Sequence, residues 1–323
     1  MTGALLAEVV RGSLVESVHH GHLVVLAPDG GTVLSVGDPD ALIWPRSSLK
    51  PLQALALLRS GLDPDDDALA LACASHSGTP EHLDVVRGVL AGAGLTEAAL
   101  QNTPDLPLDA DAAHAWRAAG HAPSSVTQNC SGKHAAMLAT CVVAGWDAAS
   151  YRDAEHPLQR RVRAVVEELT GVPVERVTVD GCGAPLLSTT VRGLARSFGR
   201  VAAAEPGTDL ARVAHAMATR PDLVGGPGRD VTAIMRAVPG LVAKDGAEGV
   251  YAAGLPDGTG VAFKVADGSG RARPAVLVAA LAHALRATGR PVPDALLAAG
   301  RTPVLGHGAP VGEVRAAFAE AAS

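Results

Sequence analysis

The sequence predicts an α+β fold in which strands from the two ends of the chain form one antiparallel sheet flanked by helices. Three observations predict it. The first 45 residues read as strands, the middle of the chain reads as helices, and residues 241–266 return to strands separated by Asp-Gly turns. No internal repeat, heptad run or low-complexity linker interrupts the chain, and 48% hydrophobic residues are ample for a large core. Residues 1–323 are therefore read as a single domain.

The elements follow in order. Glu8–Ser17 and His22–Ala27 alternate or run apolar, as strands do. Asp29-Gly30-Gly31 supplies a tight turn into a third strand, Thr32–Val36. Pro45 precedes a helical run, Ser47–Arg59, whose Leu49, Leu52, Leu55 and Leu58 share a face, and Gly61 stops it. Leu69–Ala74 is a short apolar segment, and a helix follows at Pro80–Ala93. Asp105–Ala122, rich in Ala, Asp, His and Pro, reads as a surface excursion. Asn129–Gly132 is a polar turn feeding a helix at Lys133–Ala144, and Pro157–Thr170 is another helix. Val177–Asp180 is a strand that breaks at Gly181-Cys182-Gly183, with a helix expected near Leu187–Ser197. Leu241–Lys244, Gly249–Leu255 and Gly260–Ala266 form a meander with turns at Asp245-Gly246 and Asp257-Gly258. Pro274–Thr288 closes the chain as a long helix.

Composition excludes several functions. The net charge is −6, the pI is near 6.0 and no Lys/Arg run occurs, which argues against nucleic-acid binding. Apolar runs such as Ala275–Leu285 are too short to span a bilayer. Met1–Val10 lacks the basic and apolar regions of a signal peptide, and four cysteines in such a chain imply reduced thiols. These points predict a soluble, cytoplasmic protein. Only four of the 27 basic residues are lysine: Lys50, Lys133, Lys244 and Lys264. Arginine keeps its proton at working pH, whereas a desolvated lysine can give it up. The retained lysines are thus candidates for positions that need an amine.

Five strings carry candidate chemistry. In Arg46-Ser47-Ser48-Leu49-Lys50, Ser47 and Lys50 are three apart and share one helix face at a helix start. A neutral lysine there can take the serine proton, and the free N–H groups favour developing negative charge. This is the S-x-x-K arrangement of penicillin-recognising enzymes and related amidases. Cys73-Ala74-Ser75-His76-Ser77-Gly78 follows an apolar segment and, alone, reads as a turn with capping serines. Asn129-Cys130-Ser131-Gly132-Lys133-His134 gathers a Cys, a Lys and a His at a helix start. Asp180-Gly181-Cys182-Gly183 follows a strand. Cys130 and Cys182 suit a zinc ion as soft ligands, although their spacing matches no zinc finger, while Cys73 and Cys141 read as small buried hydrophobes. Lys264, in Phe263-Lys264-Val265, lies on a C-terminal strand, where S-x-x-K hydrolases deliver a K-T-G triplet, but Val265 follows it and the triplet is missing. Lys244-Asp245-Gly246-Ala247-Glu248-Gly249 reads as a turn between strands.

Together these ordered strings resemble the bacterial asparaginase II family, the group of the inducible Rhizobium-type L-asparaginase. The resemblance runs from Val15-Glu16-Ser17 to Phe263–Gly268. It implies a serine β-lactamase and glutaminase-like fold and hydrolysis of L-asparagine to L-aspartate and ammonia. It implies one Ser–Lys pair of Ser47 with Lys50 and a second of Ser75 with Lys264. It implies a zinc ion held by Cys130, Cys182 and Lys133, with Arg46, His134 and Asp180 at substrate-contact or supporting positions. It also implies a homodimer. Either serine can attack in this scheme; Ser47 is favoured because its lysine is local, with Ser75 relaying protons. A penicillin-recognising enzyme and a non-enzymatic zinc-binding or redox-sensing protein are the competing readings. The first lacks an export signal and a K-T-G triplet. The second leaves the serine–lysine residues unexplained.

Overall fold

The computed structural model describes residues 3–318. The chain begins with strands β1 (Ala4–Arg11), β2 (Leu14–Leu26) and β3 (Thr32–Val36). The single strand expected at Glu8–Ser17 is two strands, because Gly12 takes a φ of +58° and turns the chain back on itself. Met1 and Thr2, part of the Met1–Val10 segment read above, lie outside the described residues.

A short strand, β4 (Leu42–Ile43), leads into a 3₁₀ turn at Arg46–Leu49 that runs directly into α1 (Lys50–Leu58). The expected apolar segment is a helix, α2 (Asp66–Ala72), capped by Asp65, whose side chain accepts from the Ala68 N–H. Helix α3 (Pro80–Gly92) matches expectation. The surface excursion contains an exposed helix, α4 (Ala110–Ala118). Helices α5 (Ser131–Ala144) and α6 (Pro157–Thr170) each end on a left-handed glycine, Gly145 and Gly171. Strands β5 (Val177–Val179) and β6 (Pro185–Leu187) form a short ladder, and β7 (Thr189–Thr190) pairs with β4. These strands delay α7 to Val191–Ala202, later than the helix expected at Leu187–Ser197.

Three unexpected helices follow: α8 (Asp209–Thr219), α9 (Pro221–Val224) and α10 (Asp230–Ala237). The meander is β8 (Val242–Gly246), β9 (Val250–Gly254) and β10 (Gly260–Val265), then α11 (Arg273–Ala287) and α12 (Asp294–Ala299). Asp245 and Gly246 end β8 rather than forming a turn; the reversal falls at residues 247–249, where Glu248 and Gly249 have positive φ. The chain closes on a hairpin, β11 (Thr302–Gly306) and β12 (Ala309–Ala316), instead of a helix.

One antiparallel sheet runs β11-β12-β1-β2-β10-β9-β8, with β3 on the far half of β2. The two ends of the chain meet where β2 pairs with β10, with Leu23 opposite Phe263. Every residue of β8, β9 and β10 is buried, so this end of the sheet is covered on both faces. Helix α7 reaches the sheet backbone because Gly254 and Gly260 carry no Cβ; one added there would overlap the carbonyls of Phe198 and Ala195. The expected α+β class, with helices flanking a sheet built from both chain ends, is the observed one. Strand β8 lies at the sheet edge, against the start of the S-x-x-K helix.

Candidate active site

Three segments converge beside β8. The first is the 3₁₀ turn. Arg46 stands at φ +53°, a left-handed conformation that costs a non-glycine residue energy. That kink places Ser47 on a cavity wall and sends Ser48 the other way, where its Oγ donates to the Lys244 carbonyl at 3.1 Å. The second is the stretch leaving α2. Gly132, in the first turn of α5, touches Leu71 of α2 and leaves no room for a Cβ. The two helix ends are thereby pressed together. The His76 N–H donates to the Asn129 carbonyl at 3.1 Å, and the Ser75 N–H to the Val224 carbonyl at 3.1 Å. The third is β8 itself, with Lys244, Asp245 and Gly246.

Lys50 is buried and joins the first two segments. Its Nζ donates to the Ala74 carbonyl, to Ser75 Oγ at 3.1 Å and to Cys130 Sγ at 3.1 Å. Ser75, not Ser47, is thus the serine in hydrogen-bond contact with Lys50. Ser47 and Ser75 line one cavity of about 380 Å³ together with Asn129, Arg229, Asp245 and Arg273.

Lys264 is elsewhere. It lines a separate cavity of about 530 Å³ with Trp44, Arg46 and Glu248, and its amine donates to the Glu248 carbonyl at 2.6 Å and to the Val265 carbonyl. The structure therefore does not bring Lys264 to Ser75. The reason is strand order: β10 is interior, two strands from the edge that faces the serines. The edge strand carries Lys244 instead, which sequence reasoning had left in a turn. Lys244-Asp245-Gly246 lies beside the start of the S-x-x-K helix, where Ser48 Oγ meets the Lys244 carbonyl. Lys244 is fully buried and paired with Asp245. Burial, with the charge of Lys50 adding and Asp245 opposing, lowers its pKa to about 8. Burial would raise the Asp245 carboxyl, but the charges of Lys244, Arg229 and Arg273 bring it below the usual range.

The cysteine strings also meet. Cys130 and Cys182 pack against each other with Ala184, all buried. Lys133 Nζ donates to Cys182 Sγ at 3.2 Å. The Cys182 S–H hydrogen bond pulls Cys130 well below the ordinary thiol pKa, and the charges of Lys50 and Lys133 add to this against burial. Cys182 moves up, because its proton is held in that bond and because it is buried. Burial works against charge on Lys133, but Cys182, Cys130 and Asp180 outweigh it and raise its pKa. Among the described residues no group of three or more His, Cys, Asp or Glu side chains converges as a metal site. The convergent donors here are two sulfurs, the soft donors zinc accepts, and an amine that can donate once it loses its proton.

The remaining predicted residues frame that cluster. Asp180 Oδ1 accepts from Arg46 Nε at 2.7 Å and from the Gly181 N–H at 2.8 Å. Burial alone would raise the Asp180 carboxyl, but Lys133 and Arg46 hold it below the usual range. Arg46 also borders Glu248 at 3.9 Å. His134 is fully buried, with Nδ1 2.7 Å from the Tyr151 hydroxyl and Nε2 unpartnered among the described residues. Burial, then the nearby lysines and Arg152, hold it neutral. Sequence reasoning missed Lys244, Asp245, Arg229 and Arg273. The scarcity of lysine already marked Lys244; no sequence pattern marked the two arginines.

The sequence pattern of the family described as L-asparaginase II matches residues 7–316. The chain belongs to the L-asparaginase II family. This makes it an amide-hydrolysing enzyme with a small-molecule amide substrate. No curated protein gave a match. Similar solved structures include Mglu in its glutamate form, at 16% identity and a TM-score of 0.45, over 82% of this chain and 60% of that one. A β-lactamase from Mycobacterium bovis is similar at 16% identity and a TM-score of 0.36, over 77% of this chain and 88% of that one. EstCE1, a hydrolase with promiscuous acyltransferase activity, is similar at 12% identity and a TM-score of 0.39, over 76% and 88%. Among the described residues of this family member, no helix is long and apolar enough to cross a membrane.

Proposed function

We propose that the protein is an L-asparaginase that hydrolyses the side-chain amide of L-asparagine to L-aspartate and ammonia through an acyl-enzyme. The observation that carries this reading is Lys50 Nζ at 3.1 Å from Ser75 Oγ, in the wall of a cavity that Ser47 also lines. A buried lysine bonded to a serine beside a second serine is the equipment for moving a hydroxyl proton onto an amine.

Ser47 attacks the amide carbon in this reading. The left-handed backbone at Arg46 presents it to the cavity, as strained turns present nucleophiles in other hydrolases. Its proton passes through Ser75 to Lys50. Ser47 and Ala247 line the same cavity, and their backbone N–H groups stabilise the oxyanion in this reading. Lys50 returns the proton through Ser75 to the leaving nitrogen, and ammonia departs. Water, deprotonated by the same route, then cleaves the Ser47 ester and releases aspartate. A second reading follows from the direct Lys50–Ser75 bond: Ser75 itself attacks, and Ser47 assists.

Zinc fits the Cys130, Cys182 and Lys133 donors, and when bound it supplies a fixed positive charge beside the substrate. Lysine and thiol must lose protons to bind it, so binding competes with acid. Arg46 and Asp180 hold each other at the border between cluster and cavity, and neutral His134 lies behind them. The protein works as a cytoplasmic homodimer of one catalytic domain in this reading. Glutamine is the neighbouring substrate; one methylene changes discrimination by only about 1–3 kcal/mol unless a clash is built in.

The test is ammonia release from L-asparagine and L-glutamine by the purified protein and by Lys50→Arg. Activity on asparagine that arginine abolishes supports both the substrate and the need for an amine that can lose its proton. A folded protein inert on both amides would overturn the proposal.

A further inference from the structure

The serine cavity has a second wall that the amide chemistry leaves unused. Arg229 and Arg273 reach it from separate elements, one just before α10 and one at the start of α11. Arg229 donates to Asp245 Oδ2 at 2.9 Å and to the Ser75 carbonyl at 3.2 Å. Arg273 donates to the Gly246 carbonyl at 2.8 Å and stands 3.6 Å from the same Asp245 oxygen. The other Asp245 oxygen is taken by Lys244. One carboxylate thus faces three cations. A second acid, Asp230, lies nearby, its pKa raised by burial and by the charge of Asp245 against the pull of Arg273 and Arg229.

Both arginines line the cavity and stay partly exposed to it. Arg273 Nε is buried without a partner among the described residues. So is the Tyr251 hydroxyl, whose ring lies under the Arg273 guanidinium at 5.7 Å. The backbone contacts fix both guanidiniums in place. Two fixed, partly exposed guanidiniums that line one small cavity with two serines match a planar carboxylate.

We propose that Arg229 and Arg273 bind the α-carboxylate of the substrate, so that the enzyme accepts a free amino acid and rejects one whose α-carboxyl is blocked. The inference rests on the amidase reading above and names the substrate class for it. Asp245 holds the two guanidiniums side by side. The substrate carboxylate supplies the negative charge that the wall lacks. The side-chain amide, at the other end of the molecule, then lies toward Ser47 and Ser75.

The experiment compares ammonia release from L-asparagine and from L-asparagine α-methyl ester, in the wild type, Arg273→Gln and Arg273→Lys. A charge-assisted pair of hydrogen bonds predicts a wild-type kcat/KM on the ester about 30-fold or more below that on asparagine. Arg273→Gln raises KM for asparagine about 30-fold, with kcat within about threefold, and leaves KM for the ester unchanged. Arg273→Lys recovers part of the loss. Equal use of ester and acid by the wild type overturns the proposal, and this arm needs no variant to fold. An equal KM increase for both substrates also overturns it, because a structural arginine acts that way. If the wild type releases no ammonia from asparagine, the amidase reading fails separately. Calorimetry with L-aspartate then decides: binding lost in Arg273→Gln supports the clamp, and no binding to the wild type overturns it.

Discussion

Replacing Lys244 with Met tests the residue that the structure adds to the site. Met has nearly the length of lysine and suits a fully buried position. Asp245 is not stranded by the change, because Arg229 at 2.9 Å and Arg273 at 3.6 Å remain on it. Burial lowers the Lys244 pKa from 10.5 to about 8. That depression corresponds to roughly 3 kcal/mol against the charged form. The sign follows from linkage. Below about pH 8 both folded and unfolded chains carry the proton, and the folded state bears the whole cost. Between about 8 and 10.5 only the unfolded chain carries it, so the contribution to stability rises with pH. The assay is urea unfolding of wild type and Lys244→Met at pH 7.5 and pH 10, with differences taken between proteins so that other titrations cancel. The wild type should gain about 2.4 kcal/mol relative to the variant over that interval. An identical pH slope in both proteins would refute the burial reasoning.

Other outcomes follow from the same geometry. Titrating metal-free protein with zinc should release protons and bind one ion per chain, and Cys182→Ala should abolish that stoichiometric binding. Arg46→Gly relieves the left-handed strain while losing the 2.7 Å bond to Asp180, so its unfolding free energy should stay within about 1 kcal/mol of wild type while its activity falls. Gly254→Ala drives a methyl into the Phe198 carbonyl of α7, and chemical denaturation should show a loss of about 2 kcal/mol or more.

The sheet was legible because its strands run apolar between glycine turns, and the helices with clear start and stop residues, such as Pro157–Thr170, were found to the residue. What escaped had a physical cause in each case. Gly12 split one apparent strand, and Asp245-Gly246 resembled a turn although the strand continued through it. Helices α8 and α10 bury only a few residues each, so their apolar pattern is sparse. The S-x-x-K string and Cys130 with Lys133 sit at helix starts, which sequence reads locally, and the fold gathers them into two adjacent clusters. The pairing of serines with lysines depends on which strand lies at the sheet edge. Local sequence does not encode that order, and the fold lines a separate cavity with Lys264. Arg229 and Arg273 lie in ordinary surroundings and acquire a role only when three distant segments meet.

The central claim is a covalent intermediate on Ser47. Quench the enzyme during turnover of L-asparagine, digest it, and locate any added aspartyl group by mass spectrometry. The account predicts an aspartyl ester on the peptide bearing Ser47, absent in Ser47→Ala and absent without substrate. An ester on Ser75, or steady ammonia release with no ester on either serine, would contradict it.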